Sequence, residues 1–223
     1  MCIRDRLKQD ADGHDLDPTD PDNWTVPTPI YRNDASLLNG NKQLAATASG
    51  GVGMSLDMTY FQDADGRSYY AWQQLGATYI ATMDPKDPAH VTSSPVRIVT
   101  PEYAWNAAIA EGPNVTLCDG KLYLMFSGSG VGKTDTTGLA VADASGTDLT
   151  DPASWTALNY PIQKSGPFNG EMQLGTGHGM WSEDEDGNQI YVFHAYATKN
   201  LGSVNATGRD MLSLIHISEP TRP

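Results

Sequence analysis

The sequence predicts an all-β fold, a β-propeller, on three observations. First, one plan occurs three times: a polar residue at the mouth of a strand, then a hairpin that turns on Asp-Gly. The copies are Ser55–Trp72 with Asp57 and Asp65-Gly66, Ile109–Ser127 with Glu111 and Asp119-Gly120, and Gly175–Ala195 with His178 and Asp186-Gly187. Asp-Gly between runs of β-branched, aromatic and aliphatic residues is a strong hairpin signal. Second, Asp-Pro landmarks end at Pro21, Pro85 and Pro152, separations of 64 and 67 residues. A period that long fits a four-stranded blade with generous loops. Third, the intervening segments read as short strands with no helical pattern. Blades set their inner strands around one axis, so Asp57, Glu111 and His178 are expected to be neighbours although each is more than fifty residues from the next.

In chain order, the ends are set apart first. Met1–Arg6 back-translates to ATGTGTATAAGAGACAG and Leu212–Ile217 to CTGTCTCTTATACACAT, which are reverse complements of each other. They resemble the adaptor of transposase-made sequencing libraries read on opposite strands, and Ser218–Arg222 continues it. Residues 1–6 and 212–223 are therefore expected to be adaptor-derived, and 7–211 to be an internal piece of a longer protein. The net charge is −13 over the whole sequence and −14 without the charged residues of these ends. Such a field excludes nucleic acid as a partner. Of two cysteines only Cys118 remains, so no disulfide framework is available, and no apolar run approaches the roughly 18 residues of a membrane span.

Leu7–Trp24 is Asp-rich and is expected to complete an outer strand and loop. Ile30–Leu38 reads as a weak strand and Asn39–Gly53 as a loop. Thr78–Met83 and Val96–Val99 supply the third and fourth strands of the first complete blade. Gly138–Asp143 and Tyr160–Gln163 do so for the second, and Tyr191–Tyr196 belongs to a third that is cut short. Ser127–Thr134, SGSGVGKT, superficially matches a phosphate-cradling loop. However, the next residues are Thr-rich and then strand-like, where a helix N-terminus is required. The Asp-x-Asp-Gly pieces at Asp63 and Asp184 lack the remaining ligands of a calcium loop and read as turns.

SLDMTYF, YIATMDPKDP, EGPNV and GTGHGMW with YVFHA downstream, in this order, resemble glycoside hydrolase family 43 over most of 7–211. The resemblance implies a five-bladed propeller, here with its first blade mostly missing and its fifth only begun. It implies three acidic residues: a general base on the first blade, an acid-tuning Asp and a general-acid Glu. By motif match Asp57 is the tuning residue and Glu111 the acid, while the base has no counterpart. His178 resembles an axial histidine that faces a calcium or sodium ion through water in some members. Arg209 resembles an arginine near the sugar. Trp72, Trp105 and Trp181 are candidates for stacking on sugar faces, with core packing the competing expectation.

The implied activity is inverting hydrolysis of arabinose-containing plant polysaccharides, arabinan or arabinoxylan, by an extracellular or periplasmic exo-α-L-arabinofuranosidase. β-Xylosidase, endo-arabinanase and a propeller that binds glycans without cutting them are the alternatives. The chain as given is expected to be inactive, because the base is absent, and prone to association through unpaired strand edges.

Overall fold

The Asp-Gly turns fold as tight hairpins, and the strands they join assemble into successive antiparallel sheets. A computed structural model describes residues 3–4, 7–26, 28–38, 55–130, 132–168, 170–197 and 210–216. Two short strands come first, β1 (Ile3–Arg4) and β2 (Thr28–Pro29), paired with each other. The first blade holds β3 (Leu56–Gln62), β4 (Ser68–Gln74), β5 (Ala77–Asp84), β6 (Asp87–Val91) and β7 (Val96–Val99). Its order is β3-β4-β5-β6, with β7 also pairing β5. The second holds β8 (Ala110–Cys118), β9 (Lys121–Gly128), β10 (Thr136–Asp143) and β11 (Thr156–Ala157), in that spatial order. The third is β12 (Gly166–Phe168), β13 (Glu171–Glu183), β14 (Gln189–Ala197) and β15 (Asp210–His216). Among the described residues there is no α-helix.

The repeated Asp-Pro landmark has a local cause at two of its three positions. Asp20 and Asp151 each cap a single 3-10 turn, Pro21–Asn23 and Pro152–Ser154, by accepting the N–H two residues on. Proline sits at the start of each turn, where its missing N–H costs nothing. The tryptophan after each turn donates back to the segment before it, Trp24 to the Pro18 carbonyl and Trp155 to that of Leu149. The middle landmark, Asp84-Pro85, instead turns the chain from β5 into β6.

Three expectations change in detail. The fourth strand of the second blade is β11, not Tyr160–Gln163, of which only Gln163 makes a bridge, to Thr137. Ile30–Leu38 is a bend in which Tyr31 bridges Leu37 and His90, while Ile30 and Leu38 are buried. Leu7–Trp24 forms no outer strand, only the bridges Leu7 to Trp24 and Gln9 to Asp15. Asn39–Gly53 lies outside the described residues. β1 and most of β15 fall in the end segments set apart on sequence grounds.

The core lies between blades. Phe61, Tyr69, Ile80 and Val99 of the first pack with Leu122, Leu124, Phe126 and Trp155 of the second. Met125 of the second meets Tyr191 and Phe193 of the third. Ile30 and Leu38 cover the other face of the first blade beside Tyr70 and Trp72. With both faces covered, β4 is buried along nearly all its length and loses the alternation of a half-exposed strand.

The Asp-x-Asp-Gly turns are closed by their own side chains. The buried Asp63 carboxylate accepts from the N–H groups of Asp65 and Arg67, the Arg67 guanidinium at 2.7 Å and the Tyr69 hydroxyl at 3.0 Å. Asp184 repeats the turn with Asp186 and Asn188.

Burial pushes the phenols of Tyr69 and Tyr191 well above the ordinary tyrosine range. The hydrogen bond to Asp63 adds to this at Tyr69. At Tyr191 a bond to Thr137 opposes it and the Asp135 charge adds to it. The unfolded chain releases these protons near pH 10, whereas the folded chain retains them, so their stabilisation is full below about pH 10 and is lost as pH rises above it. Melting temperature should therefore fall more steeply above about pH 10 in the wild type than in Tyr191→Phe. Equal slopes would contradict this account of Tyr191.

Candidate active site

Each inner strand breaks register at its mouth. On β3 the pairing jumps from Leu56–Gln73 to Thr59–Ala71, so Asp57 and Met58 stand opposite Trp72 alone. On β8 it jumps from Glu111–Ser127 to Asn114–Met125, which sets Gly112 and Pro113 opposite Phe126. On β13 the jump from Gly177–His194 to Met180–Val192 sets His178 and Gly179 opposite Phe193, and another lies just before it. Such bulges bend a strand and re-aim a side chain, and they recur beside active sites. Each contains a left-handed residue: Asp57 at φ 55°, Gly112 at 58° and His178 at 46°. For the two non-glycine residues this costs about 1–2 kcal/mol each. Strain of this kind persists only where surrounding contacts over-determine it.

Those contacts join all three blades. Asp57 Oδ2 accepts the Gly112 N–H at 3.1 Å, tying the first blade to the residue after Glu111. Asp57 Oδ1 lies 3.8 Å from His178 Nε2, close enough for an ion pair when the ring is protonated but too long for a hydrogen bond. The His178 N–H donates to the buried hydroxyl of Ser127, which stands opposite Glu111 in register. The His178 ring covers Gly112 so closely that a Cβ there would lie 3.2 Å from it. The structure thus brings Asp57, Glu111 and His178 to one end of the axis, with Glu111 partly exposed.

The tryptophans fare differently. Trp72 is wholly enclosed, donates to Gln74 and offers no face to a ligand, so core packing prevails there. Its position opposite a bulge is the reason, since Phe126 and Phe193 fill the same place in their blades. Trp105 is half-buried, packed beside Phe126 and Tyr103, with its indole N–H on the Asn159 carbonyl. Trp181 lines an open groove of about 480 Å³ with Tyr60 and Asn114. Its backbone N–H bonds Asn114, and its indole N–H the Tyr123 carbonyl. Arg209 lies outside the described residues. Ser127–Thr134 runs from β9 toward β10 with no helix among its described residues, so no helix terminus faces a phosphate.

Two residues that the sequence did not single out lie directly behind His178. His194 stacks on it at 6.4 Å between centroids, and Asp135 lies 3.3 Å from His194. His194 was visible only as part of YVFHA, with no role of its own, and Asp135 only as part of a loop. Asp10, Asp12 and His14 also cluster, in an exposed turn whose Asp10 carboxylate already accepts two backbone N–H groups.

The profile of Glycosyl hydrolases family 43 matches residues 41–215. The chain is 31% identical over 159 residues to an extracellular exo-alpha-(1->5)-L-arabinofuranosidase of Streptomyces chartreusis, covering 66% of this chain and 46% of that protein. It therefore spans a little under half the length of that relative. Among solved structures, alpha-L-arabinofuranosidase from Lactobacillus brevis superposes with a TM-score of 0.62 and 25% identity, over 84% of this chain and 58% of that one. Xylan beta-1,4-xylosidase from Bacillus halodurans C-125 shares the fold, with a TM-score of 0.53 and 17% identity over 78% of this chain and 29% of that one.

Gly112→Ala should destabilise the fold by more than the cost of a left-handed alanine alone, because the new methyl meets the His178 ring. Gly66→Ala supplies the comparison, since Gly66 also has positive φ but faces open space. The comparison variant should lose about 1 kcal/mol in urea unfolding and Gly112→Ala clearly more. Equal losses would show that His178 does not rest on Gly112.

Proposed function

Because the chain belongs to Glycosyl hydrolases family 43, we propose that its parent protein hydrolyses arabinose-containing plant polysaccharides, as an exo-acting α-L-arabinofuranosidase. The observation that carries this reading is the 3.1 Å contact of the Asp57 carboxylate with the N–H of Gly112, which places a second carboxylate beside the strand mouth that bears Glu111. Glu111 is the general acid that protonates the leaving oxygen. Asp57, fixed by Gly112 and flanked by His178, orients it and by its negative charge helps it keep a proton until the bond breaks. A third carboxylate, absent from these positions, activates water on the opposite face of the sugar. In inverting enzymes the acid and base stand roughly 6.5–9.5 Å apart.

His178 and Asp57 suit a calcium or sodium ion held through water. One imidazole nitrogen and one carboxylate oxygen, both partly exposed, are too few for a direct cage but adequate outer partners for a hydrated ion. Such an ion would supply a fixed positive charge on the axis. Among the wall residues, Trp181 and Trp105 remain proposed neighbours of the glycan, as does Arg209. The extracellular setting named for the Streptomyces relative supports secretion of the parent.

In the parent protein, Glu111→Gln should abolish release of arabinose from natural linkages while an arabinofuranoside with a very acidic leaving group is still cleaved. A general acid matters in proportion to the leaving group's need for a proton, and contributes typically about 10²–10⁴-fold. Equal loss on both substrates would remove Glu111 from that role.

A further inference from the structure

The buried pair behind His178 has no part in the acid chemistry assigned to Glu111 and Asp57. Asp135 precedes β10, its side chain is 2% exposed, and its Oδ2 lies 3.3 Å from His194 Nε2, whose side chain is 10% exposed. The contact has the distance of an ion pair without the direction of a hydrogen bond. His194 Nε2 and Asp135 Oδ1 have no hydrogen-bond partner among the described residues. A buried carboxylate so poorly satisfied opposes stability.

Its surroundings connect it to the site. The backbone of Gly177, next to His178, presses on the carboxylate so tightly that a Cβ there would lie 2.3 Å from Oδ1. His194 stands opposite Gly177 in the sheet, and its ring lies within 20° of parallel to that of His178. The His178 ring therefore has both Gly112 and His194 as neighbours, while its strained backbone hangs on Ser127.

We propose that Asp135 and His194 are a positioning pair: Asp135 holds the His194 ring, and His194 holds the His178 ring against Gly112 and beside Asp57. The catalytic consequence rests on the roles proposed for Asp57 and Glu111. Releasing His194 lets His178 turn, and Asp57 then loses its neighbour on Oδ1. Misplacement of about 1 Å at a reacting centre can cost a hundredfold in rate.

The test is a double-mutant cycle in the full-length parent. Asp135→Asn keeps the shape and removes the charge, whereas His194→Phe keeps the stacked ring and removes the nitrogen that Asp135 faces. Each single variant should lower kcat on an arabinofuranoside by about tenfold to a hundredfold with KM little changed. The double variant should be scarcely worse than the poorer single, because the two residues act as a unit. A lower melting temperature with unchanged kcat, or independent multiplying losses, would overturn the proposal. A second readout needs no activity: the imidazole Cε1–H resonance of His178, assigned by its loss in His178→Gln, should shift in Asp135→Asn. A parent with no arabinofuranosidase activity would defeat the functional reading but not the pair, which the resonance then decides. An unmoved resonance overturns the pair itself.

Discussion

At the mouth of the axis the arrangement depends on a mismatch of one residue between paired strands. In each blade two residues of the inner strand stand opposite a single buried aromatic of its neighbour: Asp57 and Met58 opposite Trp72, Gly112 and Pro113 opposite Phe126, His178 and Gly179 opposite Phe193. The aromatics are at most 1% exposed and hold the interior of each sheet in place. The extra residue must then be taken up on the axial side, as a bulge that contains Asp57 in the first blade and His178 in the third and directly follows Glu111 in the second. Burying each ring contributes about 1.5–3 kcal/mol, comparable to the strain of a left-handed Asp57 or His178. The same register that anchors a blade thus shapes the strand mouth that bears its functional residue.

The three mouths constrain one another as well. Asp57 reaches the backbone of the second blade, the His178 ring rests on that backbone, and Ser127 of the second blade holds the His178 N–H. No blade places its residue alone, so the geometry of Glu111 depends on packing between sheets whose members are distant in sequence. In physical terms this is why Gly112 tolerates no side chain without disturbing its neighbour.

Much of this was legible in the sequence. The Asp-Gly turns at Gly66, Gly120 and Gly187 marked the hairpins, and the spacing of the mouths brought Asp57, Glu111 and His178 to one end of the axis. What escaped notice depended on pairing rather than pattern. Sugar stacking and core packing were both open for Trp72 because its position opposite a bulge is invisible without register. The fourth strand of the second blade falls at Thr156–Ala157 because the preceding 3-10 turn, capped by Asp151, delivers the chain to β10 earlier than the apolar residues of Tyr160–Gln163 implied. Asp135 and His194 carried no local signal, since a buried carboxylate on a loop and a histidine in a strand become partners only through packing of the second blade against the third.

Whether Asp57 acts on the acid by its charge or only as a hydrogen-bond acceptor decides whether the three mouths form an active site. Asp57→Asn retains an oxygen for the Gly112 N–H, so the fold should survive while the negative charge is lost. The decisive measurement is the pH profile of kcat/KM for the intact parent and this variant on one arabinofuranoside. With the repelling charge gone, the acid gives up its proton more readily, and the alkaline limb should move to lower pH. A limb that stays in place at full activity would mean that Asp57 merely closes a bulge, and that the convergence at the three strand mouths is architecture and not an active site.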